Sequence, residues 1–195
     1  MLIAKRMNRY VEVADPSELP GLPRAALVAV IGNRVFKRQW MRKGRGFAET
    51  TTYMGSGSYI GPHAILLENA KLFDRARLED YAIAYGDAEF HGRSSAMGNT
   101  LVFGGKFHDN VRLEGHTLIR GSPELYNDVR AIDAYISDGP HGSPKLYGSL
   151  LLRDGVEISD AARIIGNHQV LAGNITVSWS PHQQVPLRRP APPET

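Results

Sequence analysis

The sequence predicts an all-β fold in which short strands wind into about six stacked triangular coils. Two observations predict it: a six-residue repeat that runs from Ala64 to about Asn174 with two slips, and a fixed chemistry at each position of the repeat. Eighteen units can be aligned in this way. Their third position is apolar except at His108 and Ser137, and their fifth position is Gly, Asn or Asp in 16 of them.

Each unit is interpreted as a short strand followed by a corner. The first position opens with five alanines and, like the third, points inward because side chains alternate along a strand. Gly, Asn and Asp at the fifth position tolerate the left-handed backbone that a tight corner requires. A strand this short with one apolar face is not stable alone, so the coils must stack and hydrogen-bond to one another.

The clearest units are Ala82-Ile83-Ala84-Tyr85-Gly86-Asp87 and Ala162-Arg163-Ile164-Ile165-Gly166-Asn167. Their pattern resembles that of the hexapeptide-repeat superfamily, the left-handed parallel β-helix proteins, which implies a left-handed winding here. The resemblance implies no single activity, because that superfamily includes acyltransferases, γ-class carbonic anhydrases, nucleotidyltransferase tails and members without a known reaction. A right-handed β-helix or a β-sandwich is the alternative fold, although right-handed coils lack a strict six-residue period.

Three regions are expected along the chain: a basic N-terminal segment (1–57), the repeat region (58–177) and a proline-rich tail (178–195). The first has ten Lys or Arg and four acidic residues, whereas residues 58–175 have eleven and fifteen. Within the first, a β-hairpin is predicted from Leu27 to Trp40 with its turn at Gly32-Asn33. Five prolines after residue 180 predict an extended arm. Loops are expected around 104–110 and 139–147.

Composition narrows the cellular setting. The chain has no apolar run of 18 residues, and its first residues are charged too soon for a signal peptide, so neither a membrane span nor a secretory leader is expected. The absence of cysteine excludes disulfides, thiol catalysis and cysteine metal sites. These features are typical of a cytoplasmic protein or of one assembled on a particle surface such as a virion.

A cationic cluster surrounds Trp40 in the N-terminal segment. It is interpreted either as the solvated side of a hairpin or as a partner-binding patch, with an acidic protein favoured over nucleic acid. The patch consists of Lys37, Arg38, Trp40, Arg42, Lys43 and Arg45.

Outward positions of one predicted face form an apolar ladder, whereas another face carries Arg77, Glu79, Arg112, Glu114, Arg130 and Arg153 and is expected to be solvated. The ladder consists of Ile65, Leu67, Ile83, Tyr85, Leu101, Phe103, Leu118 and Ile136. A stripe of this length indicates a buried contact. Either three copies pack around one axis, which is the favoured interpretation, or the N-terminal hairpin covers the stripe.

Catalytic signatures are weak. No His-x4-His pair or recurrent ligand spacing occurs, so no metal and no cofactor are expected. His91 and Asp109 are expected at the same outward position of consecutive coils, with His108 beside the slip, which would make a minimal acid-base pair or a surface ion pair. His168 is expected to be a buried or edge histidine rather than a catalytic one.

The sequence therefore favours a non-enzymatic assembly or docking solenoid, expected to be a homotrimer. Its hairpin and tail would hold other protein subunits, for example on the surface of a phage virion. The alternative is a transferase of the hexapeptide-repeat type with a site between subunits near His91, His108 and Asp109. Nucleic-acid binding through the N-terminal patch is the weaker alternative.

Overall fold

The computed structural model describes residues 10–23, 26–173 and 176–177. These residues form β-strands joined by tight corners, with two short 3-10 helices at Pro16–Gly21 and Met41–Lys43. None of the helices in the described ranges is long and apolar enough to cross a membrane. The predicted proline-rich arm (178–195) and the side chain of His168 lie outside the described part of the chain.

An N-terminal cap precedes the coils. It consists of β1 (Tyr10–Glu12), the 3-10 helix Pro16–Gly21, β2 (Val28–Ile31) and β3 (Arg34–Arg38). Strands β2 and β3 pair antiparallel, which confirms the predicted hairpin, and β1 adds to β2 in parallel. An Asp15 capping box begins the 3-10 helix, since its carboxylate accepts from Ser17 N at 2.8 Å while Glu18 accepts from the Asp15 N–H.

The coils form a parallel β-solenoid with three faces, as the sequence predicts. Face 1 contains one strand per turn and has eight such strands among the described residues, more than the six coils predicted. Its strands are β4 (Phe47–Glu49), β7 (Ile65–Leu66), β10 (Ile83–Tyr85), β13 (Leu101–Phe103), β16 (Leu118–Arg120), β18 (Tyr135–Ser137), β20 (Glu157–Ser159) and β22 (Thr176–Val177). Because β4 pairs in parallel with β7, the first coil begins at Phe47, within the basic N-terminal segment.

Faces 2 and 3 share three long strands that turn a corner between them: β17 (Glu124–Ile132), β19 (Lys145–Arg153) and β21 (Arg163–Ala172). Face 2 begins with β5 (Tyr53–Met54), β8 (Lys71–Leu72), β11 (Glu89–Phe90) and β14 (Lys106–Phe107). Face 3 begins with β6 (Tyr59–Ile60), β9 (Arg77–Leu78), β12 (Ser95–Ala96) and β15 (Arg112–Glu114). The corner in β17 has its positive φ at Asn127.

Corners behave as the sequence predicts. Asp74 and Asp80 have φ values of 49° and 55°, in the left-handed region. Their carboxylates also accept hydrogen bonds from the backbone N–H groups of Gly92 and Gly98 in the next coil, both at 3.0 Å. Asp thus satisfies a backbone donor of the neighbouring turn as well as tolerating the corner.

The positions of the slips differ from the prediction. Glu89 pairs with Lys106 and Phe90 with Phe107, so the five-residue unit is Thr100–Gly104 rather than the unit that begins at Lys106. Phe107 is fully buried in the solenoid core, and His108 points outward. Burial of the phenyl ring removes more apolar area from water and leaves the imidazole hydrated, which explains the register.

Two further register assignments are wrong. Leu118 pairs with Tyr135 and Ile119 with Ile136, so Ile136 lies in the core and not on the apolar ladder. Near the end, Leu152 pairs with Leu171 after a bulge, and Leu171 rather than Val170 is buried. In both places the register is the one that puts the larger apolar side chain inside the coil.

Candidate functional site

The N-terminal cap covers the first turns of the apolar ladder. Ile65 and Leu67 are only 1% and 8% exposed, because they pack in one cluster with Leu19 and Phe36 of the cap. Ile83 and Tyr85 are half-buried at the edge of the same cluster. The hairpin alternative therefore accounts for this part of the ladder within a single chain.

Beyond Tyr85 the ladder is only partly covered. Leu101 is 36% exposed, and Phe103 and Leu118 are half-buried. Tyr85 and Phe103 pack edge to face, with their ring centroids 3.9 Å apart. The Arg120 guanidinium lies 5.4 Å from the Phe103 centroid. Tyr135 takes the place predicted for Ile136. The remaining apolar surface is short and has an arginine at its end.

An ion pair fastens the cap to the first coil. Glu49 is 7% exposed and accepts two hydrogen bonds from Arg34, at 2.9 Å from Nε and 2.5 Å from Nη2, and one from Glu68 N at 2.7 Å. The Arg34 hydrogen bond lowers the pKa of Glu49. A carboxylate with three donors is well satisfied away from water, so it holds the hairpin against face 1.

The predicted catalytic histidines lie in a column of stacked rings on face 2. Neighbouring centroids are 4.3–5.0 Å apart and the ring planes differ by only 4–8°. This aromatic column consists of Phe73, His91, His108, Tyr126 and Tyr147. The Arg163 guanidinium lies 5.8 Å from the Tyr147 centroid. Each ring covers the face of the next, so the column presents ring edges outward.

The expected pairing of His91 with Asp109 is wrong. His91 lies over His108 at 4.6 Å, because the slip precedes Lys106, and Asp109 occupies the next corner with φ 64°. The carboxylate near His91 is Glu89, whose Oε2 is 3.6 Å from Nε2, longer than a hydrogen bond. Burial and the neighbouring His91 lower the pKa of His108, so this imidazole favours its neutral form.

A ladder of alternating charge runs beside the aromatic column. Lys71 contacts Glu89 at 2.8 Å, and Lys145 contacts Glu124 at 3.1 Å. Lys106 pairs in register with both Glu89 and Glu124. The hydrogen bond from Lys71 lowers the pKa of Glu89. Lysine and glutamate therefore alternate from coil to coil on face 2 between Lys71 and Lys145, and Arg163 follows Lys145 in register.

The predicted N-terminal patch surrounds an apolar pocket. The pocket has a volume of about 570 Å³ and is lined by Leu27, Val28, Lys37, Arg38, Gln39, Trp40 and Arg45. The Trp40 side chain is 84% exposed and Leu27 is 42% exposed. The structure thus brings Lys37, Trp40 and Arg45 together around one concave surface.

Two cations of the patch donate hydrogen bonds to backbone carbonyls, Arg38 within the cap and Lys43 to the first coil. Arg38 donates to Ala26 O at 2.8 Å and to Leu22 O at 3.0 Å, and its guanidinium lies 4.4 Å from the Phe47 centroid. Lys43 Nζ donates to Gly55 O. Arg42 is exposed, outside the pocket lining. Lys37 and Arg45 are therefore the lining cations best placed to meet a partner.

The second predicted loop is a tight turn. Gly139 and Gly142 form an antiparallel bridge, and Asp160 accepts from His141 N at 2.7 Å and lies 2.6 Å from His141 Nδ1. Across the described ranges, no group of three or more His, Asp or Glu side chains has a geometry that could hold a metal ion. The turn is thus fixed to the following coil by one carboxylate.

Comparison of the chain with protein-family models, with curated proteins and with solved structures finds no match in any of the three. The function of the protein therefore has to be inferred from its own surfaces: the uncovered end of the apolar ladder, the aromatic column and the Trp40 pocket.

Proposed function

We propose that the protein is a non-enzymatic docking and assembly element, in which a rigid solenoid presents a partner-binding pocket at its N-terminal end. The observation that best supports this proposal is Trp40, 84% exposed beside an apolar pocket of about 570 Å³. Scattered exposed apolar residues are ordinary, but a Trp beside a concave apolar surface with Arg at its rim has the composition of an interface hot spot.

The lining defines the chemistry of the partner. Leu27, Val28 and the Trp40 indole offer apolar contact, while Lys37 and Arg45 supply positive charge at the rim. A protein segment with an aliphatic or aromatic anchor and nearby carboxylates matches both features. Nucleic acid is the weaker candidate, because Trp40 is the only aromatic residue among the described residues that line the pocket, which limits base stacking.

The remaining parts of the proposal concern assembly. A homotrimer would use the partly exposed Leu101, Phe103 and Leu118, and the regular register supports a winding of the left-handed hexapeptide-repeat type. A cytoplasmic particle or a virion surface would suit such an element. The transferase alternative loses its main support, since His91 and Asp109 are not stacked in consecutive coils.

Selection of peptides from a random display library on the wild-type chain, with counter-selection on Trp40→Ala, tests the docking proposal. We expect enriched peptides to share an apolar anchor beside Asp or Glu and to bind Trp40→Ala at least about tenfold more weakly, as for a hot-spot residue. Binding to Arg45→Glu should fall as well, with a steep dependence on salt.

The matched control is Tyr81→Ala, which removes another exposed aromatic ring far from the pocket along the sequence. Selected peptides should bind this variant as they bind the wild type. Failure to enrich any peptide, or equal loss of binding in Trp40→Ala and Tyr81→Ala, would reject the pocket as a docking site.

A further inference from the structure

Face 3 contains a groove of about 590 Å³ whose charge is strongly unbalanced. It is lined by Gly57, Arg75, Arg77, Glu79, Arg93, Ser95, Met97 and Arg112. Four of these residues are exposed arginines and one is acidic. The sequence suggested only a solvated face at this position.

The groove exists because Ser95 is small. In register, Ser95 lies between Arg77 of the preceding coil and Arg112 of the following coil. Its side chain is too short to fill the space between the two arginines, so it forms the floor. Arg75 and Arg93 flank this floor from equivalent corner positions, 18 residues apart.

Three of the four arginines lack a carboxylate partner of the kind that Lys71 and Lys145 have on face 2. Arg77 is paired with Glu79 at 2.9 Å. Among the described residues, no salt bridge is formed by Arg75, Arg93 or Arg112. On face 2 of the same solenoid, lysine and glutamate alternate from coil to coil. Cations stacked without carboxylates repel one another, and a bound anion relieves this repulsion.

We propose that this groove binds a compact ligand with two or more phosphate groups. Guanidinium groups present planar forks of N–H donors that match phosphate oxygens in bidentate geometry. Arg77 and Arg112 are two coils apart, about 10 Å at the usual strand spacing. One phosphate is too small to bridge that span, whereas a chain of linked phosphates extends along the groove.

Titration of the full chain with inorganic tripolyphosphate in a calorimeter tests the proposal. At low ionic strength we expect saturable binding that weakens as salt rises. Arg93→Gln and Arg112→Gln should each weaken binding by about tenfold, the effect of losing one charge-assisted contact. The matched control is Arg153→Gln, which lies outside the groove and pairs with Asp154 at 3.3 Å. It should bind within about twofold of wild type.

Ser95→Phe separates a built site from a general field of positive charge. This variant keeps all four arginines but fills the floor, so it should abolish binding while circular dichroism and the melting temperature show a folded chain. Unchanged binding to Ser95→Phe, an equal loss in Arg153→Gln, or no binding of tripolyphosphate to the wild type at about 1 mM ligand would each overturn the proposal.

Discussion

His108 is the residue whose environment most clearly depends on protonation. It lies between His91 and Tyr126, with centroids 4.6 Å from each, and burial together with the charge of His91 lowers its pKa. The folded chain therefore holds fewer protons at this site than the unfolded chain near pH 6. By linkage, the contribution of His108 to stability is complete above the unfolded pKa of about 6.5 and is lost as the pH falls.

We predict that His108→Phe makes the free energy of unfolding less sensitive to acid. The phenyl ring keeps the stack but takes up no proton, so the loss of stability between pH 7.5 and pH 5.5 should be smaller than in the wild type. Urea unfolding at the two pH values measures this difference. Tyr147→Phe, at another ring of the same column, is the control and should keep the pH dependence of the wild type, because it removes no imidazole. Identical pH profiles for wild type and His108→Phe would contradict the prediction.

The rings of the aromatic column stabilise face 2 together, as one structural element. Each successive coil contributes one ring to the column, so the ring contacts run parallel to the backbone hydrogen bonds of face 2. Side-chain ladders of this kind hold neighbouring strands in register and favour a sheet with little twist. The column thus stabilises the turns on either side of the five-residue unit Thr100–Gly104.

Removing the Tyr126 ring, which stacks on both of its neighbours, should weaken the aromatic column. We expect Tyr126→Ala to lower the free energy of unfolding by about 1–3 kcal/mol, because two stacking contacts and part of a buried ring are lost. Tyr126→Phe keeps both contacts and loses only the hydrogen bond to Glu124 at 3.1 Å, so it should stay within about 1 kcal/mol of wild type. Chemical unfolding of the three proteins gives the comparison, and similar losses for both variants would show that stacking contributes little.

Corners differ in how closely the next coil approaches. At Gly104 (φ 95°) an added Cβ would collide with the carbonyl oxygen of Gly121, whereas at Gly86 (φ 68°) the nearest atom is 3.8 Å away. Asn is already accepted at φ 67° in Asn127. We therefore expect Gly104→Asn to destabilise the chain by about 3 kcal/mol or more and Gly86→Asn by about 1 kcal/mol or less. Melting temperatures distinguish the two; equal values would mean that the coils can move apart freely.

Strands and corners were predictable because their chemistry repeats at every turn. The positions of the slips were not predictable. A unit that begins at Lys106 places the His108 ring in the core, whereas one that begins at Gly105 places the Phe107 ring there, and only the packing shows that Phe107 is buried. The same limit hid the aromatic column: once the slip lies before Lys106, His91, His108 and Tyr126 fall on one line. Coverage of Ile65 by Phe36 depends on a contact between distant segments that no local pattern encodes.

On the scale of the whole molecule, the cap divides the apolar ladder into a covered and an uncovered part. Ile65 lies beneath the cap, and Leu118 lies beyond it. Self-association through face 1 would have to use the second part. Substitutions at Ile65 should therefore affect the stability of a single chain, whereas substitutions at Leu118 should affect the association of several chains.

We expect Ile65→Asp to lower the melting temperature by about 5 °C or more, because it places a carboxylate in the cap interface. Leu118→Asp should leave the melting temperature of the isolated chain nearly unchanged but reduce a trimer to a monomer. Light scattering beside thermal unfolding measures both effects. A wild type that is already monomeric at high concentration would exclude face 1 as a subunit interface.

The hairpin also decides how the solenoid can grow. A stack of parallel coils is a template onto which a second molecule can add its own strands, and unprotected ends of this kind lead to fibres. At the N-terminal end, β3 runs antiparallel to β4, and β2 and β1 extend the same sheet beyond β3, so that β1 rather than a coil strand forms the edge of face 1. The other two faces end in the coil strands β5 and β6. A second solenoid stacked on this end would therefore meet coil strands on only two of its three faces, and the cap obstructs polymerisation by end-to-end stacking.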